Sequence, residues 1–451
     1  MFTIQLNRGA NHRVLSGHCW VYESELPKDS PVPPDGSIVK LLDDRGRFLG
    51  LGLYNGKSQI RVRLISRHND EINTGFFHYR LRAAWEHRQR YAPSTDCCRV
   101  VASEADSLPG LIVDKYGDHL VLQTLTLGLD NRKAELVKIL IELLKPAAII
   151  ERNDAPVRRY EGLEPVRGIL HGQTDGRVNV QVGGLKFSLN LLEGHKTGFY
   201  LDQQVNYARV AALAAGKKVL DAFSYMGAFS LFCARAGAAS VTAVEIDADN
   251  VAAAQANAKA NGLADRIEFR TQNAFDFLSA AQKAGETYDL IILDPPSFTR
   301  TRANVPEAAR GYKEIHLRAL RMLAAPDDRT GSAGILPATA DAAARNSNAD
   351  TPVRSVAPSK NSADKSVCVT GDATSTTAGK MPALPRGGML ATFCCSHHVP
   401  REMFEQIIAE ASADAHRPVR LLERLSQSPD HPILPAVPET EYLKGAILQV
   451  I

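Results

Sequence analysis

A chain of 451 residues is longer than one hydrophobic core organises, and its 44% apolar content is enough to build a core in each of two or three domains. The net charge of +3 excludes a strongly polybasic or polyacidic protein, although residues 1–100 hold 15 Lys+Arg against 10 Asp+Glu, a local excess that points mildly to a polyanionic partner. Seven cysteines without CxxC spacing exclude a disulfide framework, and the lack of an eighteen-residue apolar run or a leader-like N-terminus predicts a cytoplasmic protein with no membrane partner.

In chain order, Ser37 to Ser66 alternates apolar and polar residues between the turn signals DDRG and YNGK, the pattern of a small antiparallel barrel. Lys40, Arg45, Arg47, Lys57, Arg61 and Arg63 punctuate it, which suits a solvated sheet face and an RNA-facing surface equally. A helix is expected near residues 73–91. ADSLPGLIVDKYGDHLVLQTL then reads as a hairpin, and NRKAELVKILIELLKP has the spacing of an amphipathic helix, together making a small α/β domain. From about Lys217, strands and helices alternate as in a parallel sheet covered on both faces. Residues 326–386, rich in small and polar side chains, interrupt this rhythm. They carry the related strings AGILPA and AGKMPA near their ends, and they read as a disordered insertion in which Cys368 has no role.

Ligands of open α/β sheets bind beyond the carboxyl ends of the strands. The first parallel strand ends in VLDAFSYMGAFS, where Gly227 sits in the strand-to-helix turn and Asp221 ends the strand. The second ends at Glu245, placed to accept the hydroxyls of a ribose. No GxGxxG is present, so two carboxylates around a single glycine suit a nucleoside without phosphates, S-adenosylmethionine, better than NAD or FAD. The fourth strand ends in IILDPPSF, where Asp294 emerges, Pro295 and Pro296 fix the backbone, and Phe298 is set to stack on a planar group. In ATFCCSHH, regular alternation turns Cys394 and Cys395 to opposite faces, so only one reaches a substrate. Diverging neighbours make a poor metal site, and no metal is expected.

Together, EGHKTGFYLDQQ, VLDAFSYMGAFS, IILDPPSF, ATFCCSHH and EYLKGAILQV resemble the bacterial large-subunit rRNA cytosine-5 methyltransferase family. SGHCWVYESEL looks like the entry to that family's PUA domain, and SEADSLPGLIVDKYGDHLVLQ like its central EEHD-type domain. The resemblance implies an α/β protein with a PUA-like RNA-binding β-barrel at 1–72, a central domain at 73–180, and a Rossmann-like class I methyltransferase domain at 181–451 carrying the insertion at about 326–386. It implies Cys395 as nucleophile, Asp294 as holder of the cytosine, and S-adenosylmethionine contacts by Asp221, Phe223, Ser224, Gly227, Glu245, Asn273, Asp294, Phe199 and Gln203. Asn273 stands where the family usually has aspartate, and Gln204 where arginine is usual. Lys196, Thr197, Pro295, Pro296 and Phe298 are the implied substrate contacts, 23S rRNA is the implied partner, and a homodimer is compatible with the sequence. A base-nitrogen methyltransferase working through DPPSF alone, and an RNA-binding assembly protein that has lost activity, are the competing readings.

Overall fold

The computed structural model describes residues 1–194, 197–299, 301–325 and 387–451; Lys196, the insertion and Cys368 lie outside these residues. The N-terminal barrel contains β1 (Phe2–Gln5), α1 (His12–Leu15), β2 (Trp20–Tyr22), β3 (Ile38–Leu42), β4 (Phe48–Tyr54) and β5 (Ile60–Ser66). Its strand order is β1-β3-β4-β5-β2, and β1 pairs with β3 in parallel, so the sheet is mixed rather than wholly antiparallel. Much of its basic character is neutralised internally. Arg47 pairs with Asp43, Arg61 with Glu23, and Arg63 with the buried Glu161 of the following domain at 2.8 Å.

Helix α2 (Thr74–Tyr91) starts where Asn73 Oδ1 accepts the Phe76 amide at 3.1 Å, and it buries Phe77, Leu81, Ala84 and Arg88 on one stripe. It leads into the central domain, with β6 (Cys97–Ala102), β7 (Leu111–Tyr116), β8 (His119–Thr124), α3 (Leu127–Asp130), α4 (Lys133–Leu144), β9 (Ala148–Asn153) and β10 (Val166–Gly172) in the sheet order β10-β9-β8-β7-β6. The expected hairpin is β7–β8, and the expected amphipathic helix is α4. A further hairpin, β11 (Arg177–Val182) and β12 (Leu185–Asn190), packs Val178, Val180 and Phe187 into the C-terminal core. The boundary expected at residue 180 falls inside this hairpin, whose apolar face packs in one core with Cys97, Tyr116, Val121 and Ile150 of the central sheet and with Val219 and Phe229 of the C-terminal domain.

That domain comprises α5 (Gln204–Ala211), β13 (Lys218–Ala222), α6 (Ala228–Arg235), β14 (Ser240–Glu245), α7 (Ala248–Ala260), β15 (Ile267–Thr271), α8 (Ala274–Lys283), β16 (Leu290–Leu293), α9 (Val305–Met322), β17 (Met389–Cys394), α10 (Arg401–Ala415), β18 (Val419–Ser426) and β19 (Lys444–Val450). The strand order is β15-β14-β13-β16-β17-β19-β18, with only β19 reversed against its neighbours. Helices cover both faces, so the inner strands are apolar on both sides: β16 reads LIIL and is fully buried. The core accordingly splits into two clusters, with Val219, Ile292 and Phe393 on one side and Leu220, Ile291 and Leu390 on the other.

Candidate active site at the carboxyl edge of the sheet

The chain reverses direction after β13 through an unusual turn. Phe223 (φ 71°) and Tyr225 (φ 49°) adopt left-handed backbone angles, which cost L-residues energy and concentrate at functional sites. The turn is tied to β14 by the Phe223 and Ser224 amides, which donate to Val244 O at 3.0 and 2.9 Å. Gly227 (φ 75°) is the N-cap of α6, and a Cβ added there meets the Ala254 Cβ of α7 at 3.2 Å. The backbone angle and the close packing of α6 on α7 both call for a glycine here.

Asp221 is buried beneath this turn, and its Oδ2 accepts the Ser230 amide at 3.1 Å and hydroxyl at 2.6 Å. Its Oδ1 is buried and has no hydrogen-bond partner among the described residues. Burial pushes the Asp221 carboxyl up to about 6, with a smaller push from Glu245 and an opposing pull from Ser230. Glu245, half-buried at the end of β14, accepts the Tyr225 amide at 2.8 Å and the Ile246 and Asp247 amides at 3.0 and 3.1 Å. An orphaned acceptor, a half-exposed carboxylate and a strained turn form a cradle that fits a cationic nucleoside such as S-adenosylmethionine. Ile246 is 64% exposed beside Glu245 and adds an apolar lip that the sequence reading passed over. Its signal was an apolar residue directly after the strand-ending acid. Asn273 is exposed and its Oδ1 caps α8 through the Phe275 amide at 2.8 Å, so part of the amide already has a structural task.

The neighbouring half of the edge is built by distant segments. Asp294 follows β16, and its Oδ2 accepts from Gln203 Nε2 at 3.0 Å. Gln203 is itself oriented, because its Oε1 accepts from Asn206 Nδ2 at 2.6 Å. Cys394 is fully buried on the face that carries Leu390 and Ile291, whereas Cys395 packs on the opposite face and is partly accessible. The Cys395 Sγ lies 4.0 Å from Pro295 O, next to the Asp294 backbone. Ser297 Oγ and Tyr312 Oη reach Ser396 Oγ at 2.8 and 2.9 Å, joining the two loops.

Two expected ligand contacts turn inward. Phe199 is 4% exposed and packs its ring on Phe187 and Tyr207. Phe298 is half-buried, its ring tilted against Tyr312, with centroids 4.5 Å apart, and against Phe275. Pro295 is buried and Pro296 exposed. Thr197 is buried, donating to Asp114 Oδ2 at 2.5 Å, and Asp114 is clamped by Arg99 at 2.8 and 2.9 Å. Gln204 Nε2 donates to Cys97 O at 2.8 Å, so this side chain fastens the central domain rather than facing a phosphate. Further ties run from Arg99 N to Asp430 Oδ2 at 2.9 Å and from His18 to Glu439 at 3.2 Å.

A cleft of about 1040 Å³ opens between all three domains, with Trp20 contributed by the barrel, Gln123 by the central domain, and Tyr200, Cys395 and His397 by the C-terminal domain. Asp221 and Glu245 are not in its wall, but Tyr200, which is, packs edge-on against Tyr225 of the turn with ring centroids 4.9 Å apart. Among the described residues no helix is long and apolar enough to cross a membrane, and no group of three His, Cys, Asp or Glu is disposed to hold a metal.

Comparison with known proteins supplies the context for this geometry. Residues 4–67 match the family model described as PUA-like domain, and residues 159–342 match that described as S-adenosylmethionine-dependent methyltransferase. The chain is 33% identical to a protein of Alteromonas mediterranea named ribosomal RNA large subunit methyltransferase I, over 96% of this chain and 95% of that one. It is 32% identical to a protein of the same name from Tolumonas auensis, over 100% and 99%. Among solved structures, a SAM-dependent methyltransferase from Streptococcus mutans shares the fold over the whole of both chains, with TM-score 0.75 and 20% identity. A methyltransferase complexed with SAH does so with TM-score 0.76, also at 20% identity.

Proposed function

Because this chain belongs to the ribosomal RNA large subunit methyltransferase I family and is an S-adenosylmethionine-dependent methyltransferase, we propose that it methylates carbon-5 of a cytosine in 23S rRNA through a covalent adduct with Cys395. The observation that carries this reading is the placement of the Cys395 thiol in the wall of the three-domain cleft, beside the backbone of the DPP motif. Carbon-5 of cytosine is a poor nucleophile until a group adds at carbon-6. The Cys395 thiolate forms the sulfur–carbon-6 bond, and the displaced electron pair is shared between carbon-5 and ring nitrogen 3. Asp294 accepts a hydrogen bond from the exocyclic amine and, when protonated, serves nitrogen 3; Gln203 fixes which way its carboxyl faces.

S-adenosylmethionine supplies an electrophilic methyl group when bound. Asp221, Glu245 and the turn at Phe223 to Gly227 would hold it, with Ile246 covering its adenine. After carbon-5 is alkylated its proton leaves to a base, and the sulfur–carbon-6 bond breaks to restore the ring and the free cysteine. The target base leaves the RNA stack to reach Cys395, and the cleft receives it with its neighbours. In this reading Thr197 and Pro296 border the flipped base, Phe199 and Phe298 act by shaping the walls, the enzyme works in the cytoplasm, and a homodimer is compatible with its activity.

The test is a trap. RNA containing 5-fluorocytosine cannot lose fluorine from carbon-5, so wild-type protein accumulates as a denaturation-resistant RNA complex and Cys395→Ala protein does not. Methyl transfer retained by Cys395→Ala would replace this reading with direct transfer to a base nitrogen.

A further inference from the structure

The strand KGAILQV is buried along its length and mostly apolar, yet it begins with a lysine that is 3% exposed. Lys444 stands opposite Cys394 in the antiparallel pairing of β17 with β19. Its Nζ donates to Ser396 O at 2.8 Å and to Tyr442 O at 3.0 Å. Among the described residues no carboxylate forms an ion pair with it, and the adjacent Glu441 is engaged by Arg401 at 3.0 Å. A buried ammonium satisfied by carbonyls alone is expensive to keep, and a methionine of similar volume would avoid that cost.

We propose that Lys444 is a positioning residue for Cys395, fixing the loop that follows the nucleophile and stabilising the thiolate with its positive charge. The assignment rests on the reading of Cys395 as nucleophile. The hydrogen bond to Ser396 O holds the peptide between Ser396 and His397, one residue beyond Cys395, so the ammonium fixes the loop that carries the thiol as well as its electrostatic surroundings. Other titratable groups surround Cys395: Asp294 after β16, Tyr200 before α5, Tyr312 on α9, and along its own segment His397, His398 and the oppositely turned Cys394. Asp294 opposes a second negative charge, and burial raises both tyrosines so that they stay neutral. Burial lowers Lys444 from its ordinary value while the neighbouring cysteines pull it back up, so positive charge on Lys444 and negative charge on Cys395 favour each other. Only Cys395 of the two reaches the cleft. Ionisation transfers the thiol proton to water there; the ammonium keeps its three protons and no other bond changes.

The experiment measures iodoacetamide alkylation of Cys395 against pH in the full-length protein, located by fragment ions of the peptide that contains both cysteines. Lys444→Gln keeps a donor for the carbonyls but removes the charge, and Lys444→Arg keeps the charge. Lys444→Gln is expected to raise the alkylation midpoint by about one pH unit, which is about tenfold slower reaction at neutral pH, whereas Lys444→Arg stays near wild type. In methyl transfer, Lys444→Gln lowers kcat at neutral pH, recovers as pH rises, and leaves KM for RNA unchanged. Calorimetric S-adenosylmethionine binding reports that each variant is folded. An unmoved midpoint in a folded Lys444→Gln protein overturns the assignment even where 5-fluorocytosine trapping succeeds. A raised midpoint in a protein that gives no RNA adduct upholds it while the proposed substrate falls.

Discussion

The two halves of the carboxyl edge are built in different ways. Around β13 and β14 the important carboxylates are held by near neighbours in sequence: Asp221 by Ser230, 9 residues on, and Glu245 by Tyr225, 20 residues back. Around β16 and β17 the ties span the chain, with Gln203 and Asp294 91 residues apart, Ser297 and Ser396 99 apart, and Thr197 reaching back 83 residues to Asp114. The cradle proposed for the nucleoside is therefore a local strand-turn-helix property, whereas the proposed place of reaction at a base exists only once three domains have assembled.

The largest effect that separates the halves is expected at the paired cysteines. Cys395→Ala should lower methyl transfer at least about a thousandfold while S-adenosylmethionine binding stays within about twofold, because the covalent step vanishes and the cradle is untouched. Cys394→Ala removes a fully buried side chain from the opposite face, so it should cost about 1 kcal/mol of stability and leave most activity. Denaturant unfolding together with methyl incorporation reads both. Equal loss of activity in two folded variants would erase the distinction between the faces.

Next in size is Gln203→Leu, which removes the donor that orients Asp294 and leaves the Asn206 amide with Ser426 O alone. An Asp294 carboxyl without its orienting donor holds the base less well in the reacting state, so kcat should drop roughly ten- to a hundredfold. If Asp294 is a holder of the base, the loss appears with saturating cofactor, and KM for S-adenosylmethionine moves little.

A pH experiment isolates the local half. Asp221 is held up to about 6 by burial, so its carboxylate, the form that attracts a cationic ligand, disappears as pH falls through that value. S-adenosylmethionine affinity should weaken by up to about tenfold per pH unit below 6 and be flat above it. Asp221→Asn should bind more weakly at pH 7 and lose this pH dependence. A wild-type affinity that stays constant from pH 7 to 5 would remove Asp221 from the cradle.

This division also decides what the sequence disclosed. The strand-helix alternation of the covered sheet, the turn at Gly227 and the opposed faces of Cys394 and Cys395 all follow from short-range pattern, whereas the strand order and the reversed β19 depend on crossovers that no local pattern carries. The resemblance implies Phe199 as a cofactor contact, and its place after the DPP motif sets Phe298 to stack on a planar group; their ring partners within the protein, Tyr207 and Tyr312, come from elements those motifs do not contain. Lys444 and Asn206 drew no attention, since hydrogen bonds to Ser396 and Gln203 have no signature in spacing. The six basic residues of the barrel are the mirror case. Charge was legible, but the internal acids that neutralise Arg47, Arg61 and Arg63 were not.

The smallest effect is expected from the largest change. The described chain stops at Ala325 and resumes at Gly387, and across that gap Gly388 N donates to Ala324 O at 3.0 Å while Tyr288 bridges Leu323. The two ends are thus already brought together by β16 and β17, and a short turn can join them without moving α9 or Cys395. Closing a loop of a few residues in place of about sixty relieves roughly four doublings of length, or about 2 kcal/mol in favour of the folded state. Deleting residues 327–386 should therefore raise the unfolding midpoint slightly and leave methyl transfer within about twofold. A large loss of activity with S-adenosylmethionine binding intact would mean that the long-range half of the site draws on the insertion as well, and that the cleft walls described here are not all that the RNA meets.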